Sequence, residues 1–348
     1  PEQHRIVAKI EELFSELDAG TASLTRARAL LKTYRQALLK AAFEGKLTAP
    51  WRAANPDKLE SPETLLSRIR KERDASYAAA LDDWQTALSE WRAGGEAGRK
   101  PRKPDRTAEP CLVESASGDL PYGWGHFFIG SLCSVVRGGS PRPAGDPKLY
   151  GGDIPFLKVA DLTRSPGIHV ATFAYTITEA GLSKTRMTPA GTLMISNSGA
   201  TLGVPKICTI EATFNDGIAA FLGLSVEEQE YHYYFWESKT AELRGLDQGA
   251  AQPNLNTGIL ADALIPLCSQ AEMAEVVTRL SAQLSQVEAS EAEITTALTR
   301  ITALRQSILK KAFSGQLVPQ DPADEPASAL LARLAQASAP KPSRKTAK

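Results

Sequence analysis

The sequence predicts an α+β protein: one mixed α/β domain flanked by two long helices that pair as an antiparallel coiled coil. Three observations carry this. A segment near the start recurs near the end, a heptad pattern of apolar residues precedes both copies, and the stretch between them breaks into short apolar runs separated by turn residues.

The repeat comes first. Arg35-Gln-Ala-Leu-Leu-Lys-Ala-Ala-Phe-Glu-Gly-Lys-Leu47 matches Arg305-Gln-Ser-Ile-Leu-Lys-Lys-Ala-Phe-Ser-Gly-Gln-Leu317 at 8 of 13 positions, at a constant offset of 305 − 35 = 270. With no gap, the same offset sets Ile6 on Val276, Ile10 on Leu280, Leu24 on Ile294 and Leu31 on Ile301. A period this long rules out a solenoid and implies one element used twice, on either side of a domain.

That element is a helix. Ile6, Ile10, Leu13, Leu17, Gly20, Leu24, Ala27, Leu31, Tyr34, Leu38 and Ala41 alternate spacings of four and three, the seam of a coiled coil. The second copy, from Val276 to Lys311, is weaker because Gln283 and Ser290 fall within its seam. Neither stretch contains proline, and each helix of about 40 residues spans roughly 60 Å. Gly20 suggests a tight crossing; Gly45 and Gly315 stand where a helix stop belongs. Two such stripes bury most simply against each other as a rod, the alternative being separate docking on a globular core.

Residues 61–93 form a further helix-prone stretch, starting at Ser61-Pro62-Glu63 and carrying Tyr77, Leu81, Trp84, Leu88 and Trp91 at helical spacing. A basic linker follows, with Arg99, Lys100, Arg102, Lys103 and Arg106; it fits either a phosphate contact or a solvated tether. The mixed domain comes next. Strands are predicted at residues 154–160, 192–196, 204–208 and 217–224, and a helix at 230–243. The division expected is 1–49 for the first long helix, 50–110 for the helical extension and linker, and 111–267 for the mixed domain. The second long helix takes 268–318, leaving a C-terminal segment, 319–348, with a disordered basic end.

Composition narrows the class. Forty basic residues balance forty acidic ones, so total charge points to no polyanionic partner. The mixed domain is polar in its distribution: residues 137–206 hold 8 basic and 4 acidic residues, residues 207–270 hold 2 and 9. That fits a local basic face or merely scattered solvated charge. Four cysteines without a CxxC pair argue against a zinc cage or disulfide framework. No apolar run reaches membrane-span length and the start lacks a signal pattern, so a cytoplasmic protein is expected; the opening Pro1 is consistent with a missing natural start.

The sequence contains no phosphate loop, HExxH, nucleophile elbow, glycine-rich methyl-donor loop or Asp-Pro-Pro-Tyr. The four histidines are scattered, and each reads as a satisfied polar residue before it reads as a catalyst. No catalytic residue, metal site or cofactor is expected.

One succession of motifs is specific in its order. Leu120-Pro-Tyr-Gly-Trp124 is followed by Gly138-Gly-Ser-Pro141, Gly151-Gly-Asp-Ile-Pro-Phe156 with Ala160-Asp-Leu162, and Ser198-Gly-Ala-Thr-Leu-Gly203. Phe214-Asn215, Gly249-Ala-Ala-Gln-Pro-Asn-Leu255 and Ile265-Pro-Leu267 complete it. With the duplicated Lys-Ala-Phe-x-Gly-x-Leu helix ends, the chain resembles the specificity subunit of a type I restriction–modification system over nearly its whole length. The resemblance implies a non-catalytic DNA reader. Two target-recognition domains would each read half of a bipartite double-stranded DNA site, spaced by the paired helices. Modification (methyltransferase) subunits, which hold the S-adenosylmethionine, and a restriction/translocase subunit would assemble on it. The chain departs from the pattern in lacking the first target-recognition domain, so it would read one half-site.

On that reading, polar loops supply base contacts, Arg or Lys on guanine and Asn or Gln on adenine. The candidates are Arg137, Ser140, Arg142, Lys158, Arg164, Ser196, Asn197, Ser198, Thr201 and Lys206; surface solvation is the competing reading for each. The Ser198–Gly203 stretch also fits a structural turn, and Gln252 and Asn254 an internal loop brace. The acidic residues 207–270 should face away from DNA, toward a modification subunit. Two other classes remain: a protein-only coiled-coil scaffold without sequence-specific DNA binding, and an enzyme with an unrecognised site.

Overall fold

The structure, a computed structural model, describes residues 1–97, 100–104, 106–113, 120–199, 201–245 and 255–338. Arg99, Ala200, the 249–254 part of the Gly249–Leu255 motif (with Gln252 and Asn254) and the basic end from Pro340 lie outside the described residues. The chain folds into two compact units, one of residues 1–34 with 285–348, the other of residues 35–284.

Two long helices, α1 (Glu2–Phe43) and α9 (Gln270–Phe313), contribute to both units. In the first unit they pair. Asp18 forms an ion pair with Arg305, Arg28 Nη2 donates to Thr295 Oγ1 at 3.0 Å, and Gly20 faces Ile301. Partner numbers fall as α1 numbers rise, so the helices are antiparallel. The heptad residues Ile6, Ile10, Leu13, Leu17, Leu24 and Leu31 are all half-buried, and Val287 and Ile294 on α9 are buried. Tyr34 and Leu304, seam positions related by the 270-residue offset, are 49% and 45% exposed, so each stripe loosens at the same place. Gly20 marks no tight crossing: a Cβ there would sit 3.7 Å from Ile301 Cδ1, an ordinary contact.

Both helices stop as the glycines predicted. Gly45 and Gly315 take φ of +68° and +70°, and the next residue's N–H returns to the carbonyl five residues back, Lys46 to Ala41 at 2.9 Å and Gln316 to Lys311 at 2.8 Å. A left-handed residue at this point satisfies carbonyls that the helix end leaves open.

The second unit adds α2 (Ala49–Ala54), a short 3-10 turn at Pro56–Lys58, and α3 (Pro62–Ala93), whose Ser61 side chain accepts from the Thr64 N–H as an N-cap. Its strands are β1 (Gly125–Phe128), β2 (Ser134–Arg137), β3 (Tyr150–Leu157), β4 (His169–Val170), β5 (Tyr175–Ile177) and β6 (Met187–Thr188). Then come β7 (Thr192–Ser196), β8 (Pro205–Cys208), β9 (Ala212–Phe214), β10 (Ile218–Leu222) and β11 (Leu264–Leu267). Short helices α4 (Ile129–Leu132), α5 (Val159–Arg164), α6 (Glu179–Leu182) and α8 (Thr257–Ala261) connect them, with the longer α7 (Val226–Gly245). In the first unit α10 (Ala327–Ser338) follows α9.

The strands form a five-stranded sheet in the order β2-β10-β7-β8-β4, a four-stranded sheet β5-β3-β9-β6, and a β1-β11 pair. Pairing is antiparallel except at β4/β8 and β3/β9. Strands β7 and β10 are buried on both faces. Leu193, Ile195, Ala219 and Phe221 point into one core with α7 and the end of α1, while Met194, Ile218 and Ala220 point into a second with Leu157 and Phe214. This alternation is the strand period of two.

The first core is built on α7. Trp236 stacks on Phe221 at 5.3 Å, Tyr231 donates its hydroxyl to Pro266 O at 2.7 Å, and Phe43 meets Tyr231 and Phe235 edge-on at 5.2 and 5.6 Å. Nearby, buried Glu272 accepts from Thr48 Oγ1 at 2.7 Å and from Arg52 Nε and Nη2 at 3.0 and 2.7 Å. A carboxylate this deep needs such a set of donors to offset its lost hydration. Among the described residues, no helix is long and apolar enough to cross a membrane.

Candidate nucleic-acid interface

The motif loops, far apart in sequence, meet at one end of the two sheets. Gly138 N–H donates to Ile218 O at 3.1 Å and Gly139 N–H to Phe214 O at 3.0 Å, tying the loop after β2 to β9 and β10. Asn215 N–H donates to Leu157 O at 2.9 Å and Asn197 N–H to Gly217 O at 2.9 Å, bringing in β3 and β7. Leu255 N–H then closes on Asn197 O at 2.7 Å. Gly217 sits at the junction: a Cβ there would lie 2.7 Å from Val159 Cγ2, 3.0 Å from Ser198 Oγ and 3.3 Å from Asn215 Nδ2. Only glycine leaves these three side chains their room.

The side chains divide by depth. Arg137, Arg142, Arg164 and Thr201 are exposed, and Ser140, Lys158 and Ser198 are half-buried. Arg137 Nε donates to the Asp216 carbonyl at 2.6 Å, which holds its guanidinium by the inner nitrogen. Ser140 Oγ donates to Asp216 Oδ1 at 2.6 Å. Lys158 Nζ lies 3.3 Å from the centroid of the Tyr175 ring, a cation–π contact that fixes the ammonium beside the loops. Its backbone N–H donates to Asp161 Oδ2 at 2.7 Å at the start of α5, whose far end is Arg164.

Three candidates are interior, and direct base contact is withdrawn for them. Ser196 is fully buried; its hydroxyl donates to Thr201 O at 2.6 Å and accepts from Val204 N–H at 2.9 Å, so it pins the turn that follows β7. Lys206 is 6% exposed, and its ammonium is held by the carbonyls of Ser165 and Gly167, the former at 2.8 Å. Asn197 is fully buried, and among the described residues neither atom of its amide has a hydrogen-bond partner. Asn197 opens a glycine-containing run that reads as a loop, whereas Ser196 and Lys206 fall within the strands predicted at 192–196 and 204–208, whose neighbours on both sides of the sheet bury them.

Sequence reasoning missed Asp216, the acceptor that orders Arg137 and Ser140. It follows the Phe214-Asn215 motif, but it was counted within the acidic stretch expected to face away from DNA. The fold brings it to the basic loops instead. Tyr175, the ring beneath Lys158, was missed as well; a lone aromatic in a short edge strand carries no signal. Among the described residues no group of three His, Cys, Asp or Glu side chains is placed to hold a metal ion.

A five-stranded and a four-stranded sheet whose loops gather at one end, set in a chain with two duplicated long helices, match known proteins. The family described as type I restriction modification DNA specificity domain covers residues 121–299, more than half of the chain, and the chain belongs to that family. The chain is 43% identical over 79 residues to the type I restriction enzyme EcoDI specificity subunit of Escherichia coli, a stretch that is 22% of this chain and 18% of that protein. It is 28% identical over 177 residues to the MjaIX specificity subunit of Methanocaldococcus jannaschii, 50% of this chain and 40% of that one. Among solved structures, the HsdS subunit from Thermoanaerobacter tengcongensis is similar in fold, with a TM-score of 0.50 at 20% identity, covering 91% of this chain and 59% of its own. The chain therefore spans less than two thirds of the length of each of these relatives.

Proposed function

We propose that this chain is a non-catalytic reader of double-stranded DNA, the specificity subunit of a type I restriction–modification complex. It reads one half of a bipartite target and scaffolds modification and restriction subunits, which carry the S-adenosylmethionine and the chemistry. One observation carries the reading: the family's motif loops, drawn from residues 138–141, 158–162, 198–203 and 214–217, converge on Gly217 and hold cations at their rim. Arg137, Ser140, Arg142, Lys158, Arg164, Ser198 and Thr201 supply the contacts. Arg137 is the first choice for a base, because a guanidinium held through Nε presents a fork that fits guanine O6 and N7. Ser196, Asn197 and Lys206 act from inside, by setting the shape of the loops.

The test is recovery of a motif. The chain, co-purified with its modification subunits, is incubated with a random duplex library and S-adenosylmethionine, and the methylated products are sequenced. A single conserved half-site is expected, and Arg137→Ala relaxes one position of it by about 1–3 kcal/mol, roughly five- to 150-fold in preference. Methylation without any shared sequence would refute the reading.

A further inference from the structure

The described residues of the basic linker, 100–104 and 106–110, run along α3. Trp84 Nε1 on α3 donates to Pro101 O at 3.1 Å, and Lys103 Nζ sits 5.9 Å from the Trp84 ring centroid. Arg106 lies 5.8 Å over Tyr77 and 3.1 Å from Asp74 Oδ1, and Arg73 Nη2 donates to Thr107 O at 3.0 Å. The aromatic stripe that the sequence placed on α3 is therefore the bed on which the linker returns. A tether that needed only to be soluble would not require this series of contacts.

Between α3, the returning linker and β2 runs a groove of about 390 Å³. Among the described residues its charged lining comprises Arg73, Arg102, Lys103, Arg106 and Arg186 with Asp74, which Arg106 engages; Arg102 and Arg186 have further partners of their own. The chain as a whole is neutral, so this excess is local. Strand β2 is the outermost of its sheet, and its residues Ser134 and Val136 line the groove. One residue further on is Arg137, at the start of the reading loops. Ser134 to Arg137 is about 10 Å of extended chain, against roughly 3.4 Å per base along one DNA strand. A duplex whose bases meet the loops would thus pass its backbone over the groove within about three base steps. Beyond Gly223 the cationic excess ends: the adjoining hollow is lined by Glu72, Glu227 and Glu228 together with Arg68 and Arg73.

From this juxtaposition we infer that the groove is a phosphate clamp: it grips the DNA backbone flanking the half-site, without regard to sequence, while the loops read the bases. The inference rests on the DNA-reading function proposed above and adds a second contact surface to it. Guanidinium and ammonium groups spread over two elements suit the phosphodiester oxygens of one strand.

The experiment measures binding of a random-sequence duplex by the full chain with its modification subunits at about 50 and about 200 mM salt, where each phosphate contact contributes about 0.9 to the slope of log affinity on log salt. The double substitution Arg102→Gln with Lys103→Gln should flatten the slope by about 1.8, so that the unaltered protein loses about twelvefold more affinity over this interval than the variant does. The recovered half-site should not change. Arg186→Gln, on a different element, should flatten the slope by about 0.9 and serves if the double variant misfolds. Lys310→Gln with Lys311→Gln on α9 removes the same charge and should leave the slope as it is. An unchanged slope in both groove variants overturns the clamp and leaves the proposed function standing. Loss of modification subunits at constant slope also overturns it, by making the groove a protein-docking face. Absence of any duplex binding by the unaltered complex refutes both.

Discussion

Phe43 and Phe313 occupy the same position in the two copies of the repeat, yet Phe43 is 9% exposed and Phe313 is 90% exposed. Truncating a wholly buried Phe to Ala costs about 3–5 kcal/mol. Scaled by the covered fraction, Phe43→Ala should cost about 3–4 kcal/mol, including its edge-on contacts with Tyr231 and Phe235, and Phe313→Ala about 0.4 kcal/mol. Urea unfolding provides the assay, followed by two probes. The five tryptophans, Trp51, Trp84, Trp91, Trp124 and Trp236, all lie in the unit of residues 35–284, so their fluorescence reports on that unit, while far-UV circular dichroism reports on all helices. With an m-value of about 3 kcal/mol/M, Phe43→Ala should lower the fluorescence midpoint by about 1 M, and Phe313→Ala should shift neither probe measurably. Equal losses from the two substitutions, or a cost below about 1 kcal/mol at Phe43, would refute the packing argument.

Two further outcomes follow from the fold. Gly20→Ala should stabilise the paired helices by about 1 kcal/mol, because the new methyl finds ordinary contact space and the helix gains the difference in propensity; a loss of helical signal on heating earlier than in the unaltered chain would contradict this. His232 is fully buried, among the described residues neither ring nitrogen is bonded, and burial pushes its pKa down to about 3. The unfolded chain then binds a proton that the folded chain refuses, so stability is full above about pH 6.5 and falls as pH drops toward 3, by about 2 kcal/mol between pH 7 and pH 5. His232→Phe should remove most of that acid-side loss, as read by tryptophan fluorescence in urea; parallel pH profiles for the two proteins would show that another group is responsible.

Much of the architecture could be read from local pattern. The heptad seam predicts the half-buried line from Ile6 to Leu31, and the two glycines predict the helix stops, because both depend on spacing within one element. Strand β7 falls on the predicted residues 192–196, and α7 extends the predicted helix at both ends. Short strands such as β4, β6 and β9 escaped notice; two or three residues carry no periodicity, and they exist because a neighbouring strand supplies their hydrogen bonds. The site was legible as a set of motifs but not as a place. Ser196, Asn197 and Lys206 look as polar as Arg137 and Arg142 in sequence, and only the sheets on either side decide which are inside.

The sequence by itself determined the duplicated helices, the mixed domain between them and the loop motifs that mark the family, since these follow from spacing and residue type along the chain. Tertiary structure alone decided which copy of the repeat is covered. Gly45 and Gly315 adopt the same backbone, but a Cβ on Gly45 would meet Pro121 Cγ at 2.5 Å, whereas one on Gly315 would meet nothing within 4 Å among the described residues. It also decided where the basic linker lies, folded along α3 beside β2. Burial and charge clustering depend on what distant segments bring to a residue, and no local pattern contains that information.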